Sequence, residues 1–263
     1  MMPVTIDLTG HRALVTGAGQ NVGRGIAHML AEAEAEVLVN DLVAERAANV
    51  VGEIEARGGR AVAAPFDVTD YEAVNETLDA LRPIDILVNN AGNAGAPNLA
   101  GSFDLDNFVD SKPDTWDRYV RINFYGVLNC VHVTLPGMID AGWGRIITLI
   151  SDSARAGDAH TAVYGGSKAA AAGFMRAIAR EVGRYSITAN CISLATMNTA
   201  GKRESEMTEQ EAAQLAQILK QYIVRRQGQP EDVAAMVCFL ASDLSSWITG
   251  QTYPVNGGYT LSL

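Results

Sequence analysis

Apolar positions along the chain fall in short runs separated by longer, periodic stretches. The runs are "RALVTG" (12–17), "EVLVND" (36–41), "AVAAPFDV" (61–68), "DILVNNAG" (85–92), "GRIITLIS" (144–151), "ITANCIS" (187–193) and "TYPVNGG" (252–258). Their length and their β-branched content read as strands. Between them, apolar residues recur at helical spacing near 22–34, 43–57, 70–81, 114–140, 162–183, 205–222 and 230–241. Strands apolar on both faces and separated by helices predict a parallel sheet covered on each side. With right-handed crossovers this is an α/β, doubly wound parallel sheet of about seven strands. A chain of 263 residues suits one such domain, and no linker or repeat divides it.

Composition narrows the function classes. Hydrophobic residues make up 48% and charged residues 19%, a globular balance. Net charge is −10 and no basic stripe is present, so a nucleic-acid partner is not expected. Cys130, Cys191 and Cys238 are far apart in apolar surroundings and read as reduced core thiols of a cytoplasmic protein. His11, His28, His132 and His160 form no metal spacing. The stretch "MMPVTIDLTG" lacks the charge-then-apolar order of a signal peptide. No apolar run reaches about 18 residues, so no membrane span is expected.

Chemistry concentrates in two places. "TGAGQNVGRG" (16–25) links the first strand to the first helix. A glycine turn there lets backbone N–H groups approach a pyrophosphate at a helix N-terminus. The register that follows the strand directly is Gly17, Asn21 and Gly23, with asparagine where positive φ is demanded. Asp41 ends the second strand, 24 residues beyond Gly17, near the spacing of an acid that accepts from an adenosine ribose. No Arg or Lys stands at 42–44 or 18–22, so the acid predicts NAD(H) over NADP(H). The second place is "YGGSK" (164–168). Residues i and i+4 share a helix face, which brings the Lys168 ammonium near the Tyr164 phenol, and a nearby cation lowers a phenol's pKa.

These residues resemble the short-chain dehydrogenase/reductase family over almost the whole chain. The motifs follow in the family's order: "TGAGQNVG" at 16–23, "DV" at 67–68, "NNAG" at 89–92, Asn123 in "RINFYG", Ser151 in "LISDSA", "YGGSK", then "ITGQ" and "VNGG". The resemblance implies that Gly17, Gln20, Asn21, Val22 and Gly23 cradle the cofactor. It implies that Asp41 and Leu42 meet its adenosine ribose, and Asp67 and Val68 its adenine. Asn90, Ala91 and Gly92 line the cofactor ribose, and Thr199 bonds the carboxamide. Tyr164 acts as general acid/base, Lys168 holds the nicotinamide ribose, Ser151 bonds the reacting oxygen, and Asn123 holds a relay water. Ser151 is preferred to Ser153 because it ends the strand and keeps the family's spacing to Tyr164. The family implies a homotetramer formed through the helices at 114–140 and 162–183 and the last strand.

Two departures stand out. "SLATMNT" (193–199) has Leu194 and Ala195 where the family usually has Pro-Gly, and 93–115 is longer than usual. The segment 195–226 is expected to cover substrate, with Leu215, Ile218, Leu219, Tyr222 and Ile223 on one helical face. Two substrate classes stay open. One is a cyclic or steroid-like alcohol in an apolar pocket near Met197, Leu215 and Tyr222. The other is a 3-hydroxyacyl thioester met by Lys202, Arg203, Arg225 and Arg226. His160, in the loop before Tyr164, is a weaker candidate contact. A different class of function is a nucleotide-binding scaffold that has lost catalysis. Retention of Asn123, Ser151, Tyr164 and Lys168 together speaks against it.

Overall fold

A computed structural model describes residues 5–92, 107–198 and 206–261. Thr199, Lys202, Arg203 and most of the 93–115 stretch lie outside the described residues. Seven strands form one sheet: β1 (Arg12–Val15), β2 (Glu36–Val39), β3 (Arg60–Ala63), β4 (Ile86–Asn89), β5 (Gly144–Ser151), β6 (Ile187–Leu194) and β7 (Thr252–Val255). Their order is β3-β2-β1-β4-β5-β6-β7, and every pairing is parallel. The helices are α1 (Asn21–Glu32), α2 (Ala44–Ala56), α3 (Tyr71–Asp79), α4 (Pro113–Val120), α5 (Gly126–Ala141), α6 (Ser153–Ala156), α7 (Ala162–Val182), α8 (Glu209–Leu219) and α9 (Pro230–Ala241).

The both-faced apolarity of the strands has a direct cause. Ala13, Val15, Val37, Val39, Ile86 and Val88 point into a core shared with α1, α2 and α9. Leu14, Leu38, Leu87, Ile146 and Ile150 point into the opposite core, shared with α3, α5 and α7. Alternate side chains of a strand face opposite sides, so the inner strands need apolar residues throughout, whereas the edge strand β3 leaves Arg60 and Val62 exposed. The chain reverses direction across the sheet between β1 and β4, which leaves a crevice at their C-terminal ends, where ligands of open α/β sheets bind.

Two expectations need correction. First, 114–140 is not one regular helix. A π-helical turn at Arg121–Tyr125 separates α4 from α5. The combined stretch Pro113–Ala141 is long and apolar enough to cross a membrane by length and composition alone, but its residues Val127, Cys130, Val131, Val133 and Met138 are buried in the second core, which accounts for that apolarity. Second, α8 stops at Leu219 rather than running to 222. Tyr222 leaves the helix to be buried at 4% exposure, while Ile223 is 67% exposed, so the two do not share a face.

Candidate active site

The turn after β1 is built for close approach. Gly17 stands at φ 62° and Asn21 at φ 51°, the left-handed region that glycine and asparagine tolerate best. A Cβ at Gly23 would strike the Gly17 carbonyl and the Asn90 amide. Here α1 begins with no side-chain cap and no acid in its first turn. Its N–H groups and dipole therefore face the crevice uncompensated, an arrangement suited to a phosphate.

Buried amides and hydroxyls fix this turn to the neighbouring strands. Asn90 donates through Nδ2 to the carbonyls of Thr16 (2.8 Å) and Gly17 (3.0 Å). Thr16 Oγ1 accepts from the N–H groups of Asn90 and Ala91, both at 3.0 Å. Asn40, which the sequence reading passed over, accepts from Gly17 N–H at 3.2 Å and donates to the carbonyls of Ala64 and Phe66. It thereby ties the turn to the segment after β3.

Beside the turn lies Asp41, 6% exposed. Its Oδ2 accepts from Gly19 N–H (3.2 Å) and its Oδ1 from Val43 N–H (2.9 Å). Two backbone donors hold the carboxylate, and its remaining lone pairs are free for hydroxyl donors. Arg46, from the first turn of α2, lines the same end of the cavity. The inspected window of 42–44 missed it because a helical turn brings position 46 back over the site.

One cavity of about 830 Å³ joins the two places that sequence chemistry singled out. Gly17, Gln20, Asn21, Val22, Gly23, Asp41 and Leu42 line one end, followed by Asp67 and Val68. Asn90, Ala91 and Gly92 line the middle, and Ser151, Tyr164 and Lys168 the far part. Asn123 is fully buried just behind them. Its Nδ2 donates to Tyr119 O at 3.0 Å inside the π-helical turn, a distortion that often marks functional positions.

The far part of the cavity is tightly packed. Lys168 is 5% exposed and its Nζ donates to Leu149 O at 2.8 Å. Burial pulls its pKa down to about 8. A Cβ on Gly92 would lie 2.9 Å from Asn123 Oδ1 and 3.0 Å from Lys168 Nζ, so glycine here lets the amide, the ammonium and the chain of β4 converge. Gly92→Ala should displace both groups. We expect turnover to fall about tenfold or more, as misplaced catalytic groups do, with little change in melting temperature. Parallel kinetics and thermal melts check this.

Ser151 ends β5, as the sequence implied, and lines the same part of the cavity as Tyr164. Ser153, buried, donates to Ser151 Oγ at 2.9 Å. The expectation for Tyr164 itself is corrected. Burial pushes the phenol's pKa up, and the Ser151 contact only partly offsets this. Lys168 does not hold it down in this geometry, because its ammonium is turned to the Leu149 carbonyl.

The sequence also gave no sign of how Asp152 is used. This carboxylate is 1% exposed. It accepts from Ser193 Oγ, from Asn256 Nδ2 at 2.5 Å, from Thr260 Oγ1 at 2.8 Å and from Arg155 at 3.3 Å. The end of β5, the end of β6 and the C-terminal turn are thereby pinned together beside Ser151. Leu194, in place of the family's proline, extends β6 by pairing with Ser151 and Val255. Its carbonyl accepts from Asp152 N–H at 2.8 Å. Met197 and Tyr222 line the cavity as expected and Ile218 joins them, whereas Leu215 and His160 are not among its lining residues. Among the described residues no metal-binding cluster occurs.

Known proteins resemble this arrangement along the chain's full length. A family profile described as enoyl-(acyl carrier protein) reductase matches residues 17–260. A 3-oxoacyl-(acyl-carrier-protein) reductase of Pseudomonas aeruginosa is 35% identical, over 98% of this chain and 100% of its own. The 7alpha-hydroxysteroid dehydrogenase of Escherichia coli is 33% identical, over 96% and 95%. Among solved structures, a 3-oxoacyl-(acyl-carrier protein) reductase with bound NAD from Brucella melitensis superposes with a TM-score of 0.87 at 31% identity, covering 99% of this chain and 97% of that one. A gluconate 5-dehydrogenase from Burkholderia cenocepacia in complex with NADP and tartrate gives 0.86 at 30%, covering 98% of each. With these likenesses added to the parallel sheet and the shared motif order, the chain belongs to the short-chain dehydrogenase/reductase family, whose members are oxidoreductases.

Proposed function

We propose that the protein interconverts a secondary alcohol and a ketone with NAD(H), using Tyr164 as general acid/base. The observation that carries this reading is that Ser151, Tyr164 and buried Lys168 line one cavity, with Asn123 buried beside Lys168 and a glycine cradle at the other end. A nicotinamide bound in the crevice supplies the acceptor or donor of hydride at its ring C4. The glycine turn and the α1 N-terminus would hold the pyrophosphate. Asp67 and Val68 flank the adenine end, and Lys168 lies where a ribose hydroxyl would meet it.

In the oxidation direction, the Tyr164 phenolate takes the alcohol proton as the carbinol C–H leaves with its electron pair. Ser151 donates to the same oxygen and keeps it aligned. In reduction, both hydroxyls face the oxygen on which negative charge grows, the arrangement that stabilises an oxyanion. Ser153 holds Ser151 Oγ from behind, and Asn123 backs Lys168. A scaffold without catalysis would have no use for this convergence of four groups.

The NAD(H) preference rests on Asp41. A buried carboxylate fixed by two backbone donors accepts from ribose hydroxyls and repels a 2′-phosphate. Arg46 favours a second reading, in which its guanidinium takes that phosphate and NADPH is used. Asp41→Ala should raise the NADH KM about tenfold, the scale of losing hydrogen bonds to a charged acceptor, and should narrow the preference over NADPH. If Asp41→Ala leaves the ratio unchanged while Arg46→Ala abolishes NADPH use, the second reading holds.

On the substrate side, Met197, Ile218 and Tyr222 line the cavity, whereas Arg225 and Arg226 are not among its described lining residues. This favours the cyclic-alcohol class. The homotetramer belongs to the same reading. Trp247, 98% exposed just before β7, offers apolar area that association through the last strand would cover.

A further inference from the structure

The substrate half of the cavity is more polar than an apolar steroid pocket. Asp158, Thr161, Gln221 and Tyr259 line it together with Met197 and Ile218. Three segments remote in sequence are locked together there. Tyr259, from the C-terminal turn, donates its hydroxyl to Asp158 Oδ1 at 2.7 Å. Its ring stacks on Tyr222 with centroids 5.2 Å apart. The Tyr222 hydroxyl in turn accepts from Thr196 N–H at 3.0 Å. Burial, and next the Asp158 contact, push the Tyr259 pKa up to about 12, so the phenol keeps its proton and stays the donor. Asp158 is thus oriented through one oxygen, and among the described residues its Oδ2 carries no partner.

Charge sharpens the point. Among the described lining residues the cations are Arg46, at the adenosine end, and Lys168, in the reaction centre. Among the described lining residues none in the substrate half would neutralise an acid, whereas Asp158 would repel one.

Resting on the alcohol oxidoreductase reading above, we propose that Asp158 accepts a hydrogen bond from a second hydroxyl of the substrate, so that the enzyme selects neutral polyhydroxylated alcohols and rejects hydroxy acids. Asp158 is then a specificity-determining residue, and Tyr259 is the positioning residue that aims it. The substrate class differs from the acids and acyl carriers in the names of several relatives. It also refines the cyclic-alcohol class, because a steroid-like monoalcohol would leave the carboxylate unpaired and desolvated, which is costly.

The test compares three matched probes: trans-1,2-cyclohexanediol, cyclohexanol and trans-2-hydroxycyclohexanecarboxylate. Binding to the enzyme–NAD complex is read by calorimetry, and turnover by the absorbance of reduced nicotinamide. The diol should exceed the monoalcohol by about tenfold or more in affinity and kcat/KM, the scale of one charge-assisted hydrogen bond. The acid should be the weakest probe. Asp158→Asn keeps an acceptor for Tyr259 but removes the charge. It should bring the diol to within about threefold of the monoalcohol and improve binding of the acid. Tyr259→Phe should raise KM for the diol with kcat nearly unchanged.

Several results overturn the proposal: the acid binding as well as the diol, Asp158→Asn keeping the wild-type ratios, or none of the probes binding. Tighter binding of trans-2-aminocyclohexanol than of the diol overturns it as well and reassigns Asp158 to an ammonium. Selective binding of the diol without turnover of any alcohol supports the proposal and overturns the proposed reaction instead, so the two failures are distinct.

Discussion

Replacing Tyr164 with phenylalanine is expected to lower turnover by a factor of about 100 to 10,000, the range that a positioned general acid/base contributes. The substitution removes one oxygen and leaves the ring packed, so NADH binding, read by fluorescence titration, should change little. Ser151 alone cannot replace the lost group: it can donate to the reacting oxygen, but a hydroxyl of ordinary acidity is a poor base. The pH dependence follows from the direction of the phenol's shift. Burial raises the Tyr164 pKa, and oxidation needs the deprotonated form. The kcat/KM for alcohol oxidation should therefore climb as pH rises into the alkaline range, and that for ketone reduction should fall over the same range. A flat profile in both directions would separate the phenol from the rate.

Lys168→Met should also remove activity, yet it should make the protein more stable. Burial pulls the pKa of Lys168 down from its ordinary 10.5 to about 8. The native state therefore disfavours the charged amine. At pH 7 both native and unfolded chains hold the proton, and the native state bears the full cost of burying it. That cost is about 3 kcal/mol at about 1.4 kcal/mol for each pKa unit. Methionine avoids it but leaves the Leu149 carbonyl without its donor, a loss of about 1 kcal/mol. A net gain of about 2 kcal/mol corresponds to a melting temperature several degrees higher.

The sign with pH can be worked out. From pH 8 upward the native chain gives up a proton that the unfolded chain retains until about 10.5. Wild-type stability from this group therefore rises with pH through that window. The advantage of the variant should shrink between pH 7 and pH 10. Melts of both proteins at the two pH values check this, and an advantage that stays constant would show that the buried charge is not its source.

Most of the sheet was legible because the inner strands have to satisfy two cores at once. Leu14 and Val15, or Leu87 and Val88, face opposite layers, so the apolar runs are continuous and conspicuous. Asn21 was legible for a different reason: it occupies a position whose backbone must turn left-handed, and few residues do so. Ser151 was legible from its spacing and its place at the end of β5.

The rest depended on contacts between distant segments. Asp152 takes its partners from Ser193, Asn256 and Thr260, and no local pattern announces such a cluster. Tyr222 looked like a helical residue, but burial against Tyr259 and the bond from Thr196 N–H outweigh the helical spacing. The π-helical turn at Asn123 replaces regular bonding with an alternative that no periodicity reveals. Arg46 escaped notice because a helix turn, rather than adjacency in sequence, returns it to Asp41. The Tyr164 shift is not legible in the Tyr-x3-Lys spacing because that spacing shows a nearby charge but not burial, and in this packed site burial is the larger effect.

The role proposed for Tyr164, beside Ser151 in the cavity, is to move the proton of a secondary alcohol. Its most direct test is the reduction of NAD by the wild-type protein with 1,2-cyclohexanediol, followed by the near-ultraviolet absorbance of the product, with Tyr164→Phe run in parallel. The account predicts steady turnover by the wild type, with the variant close to the enzyme-free baseline while still binding NADH. A variant that retains most of the wild-type rate would contradict it.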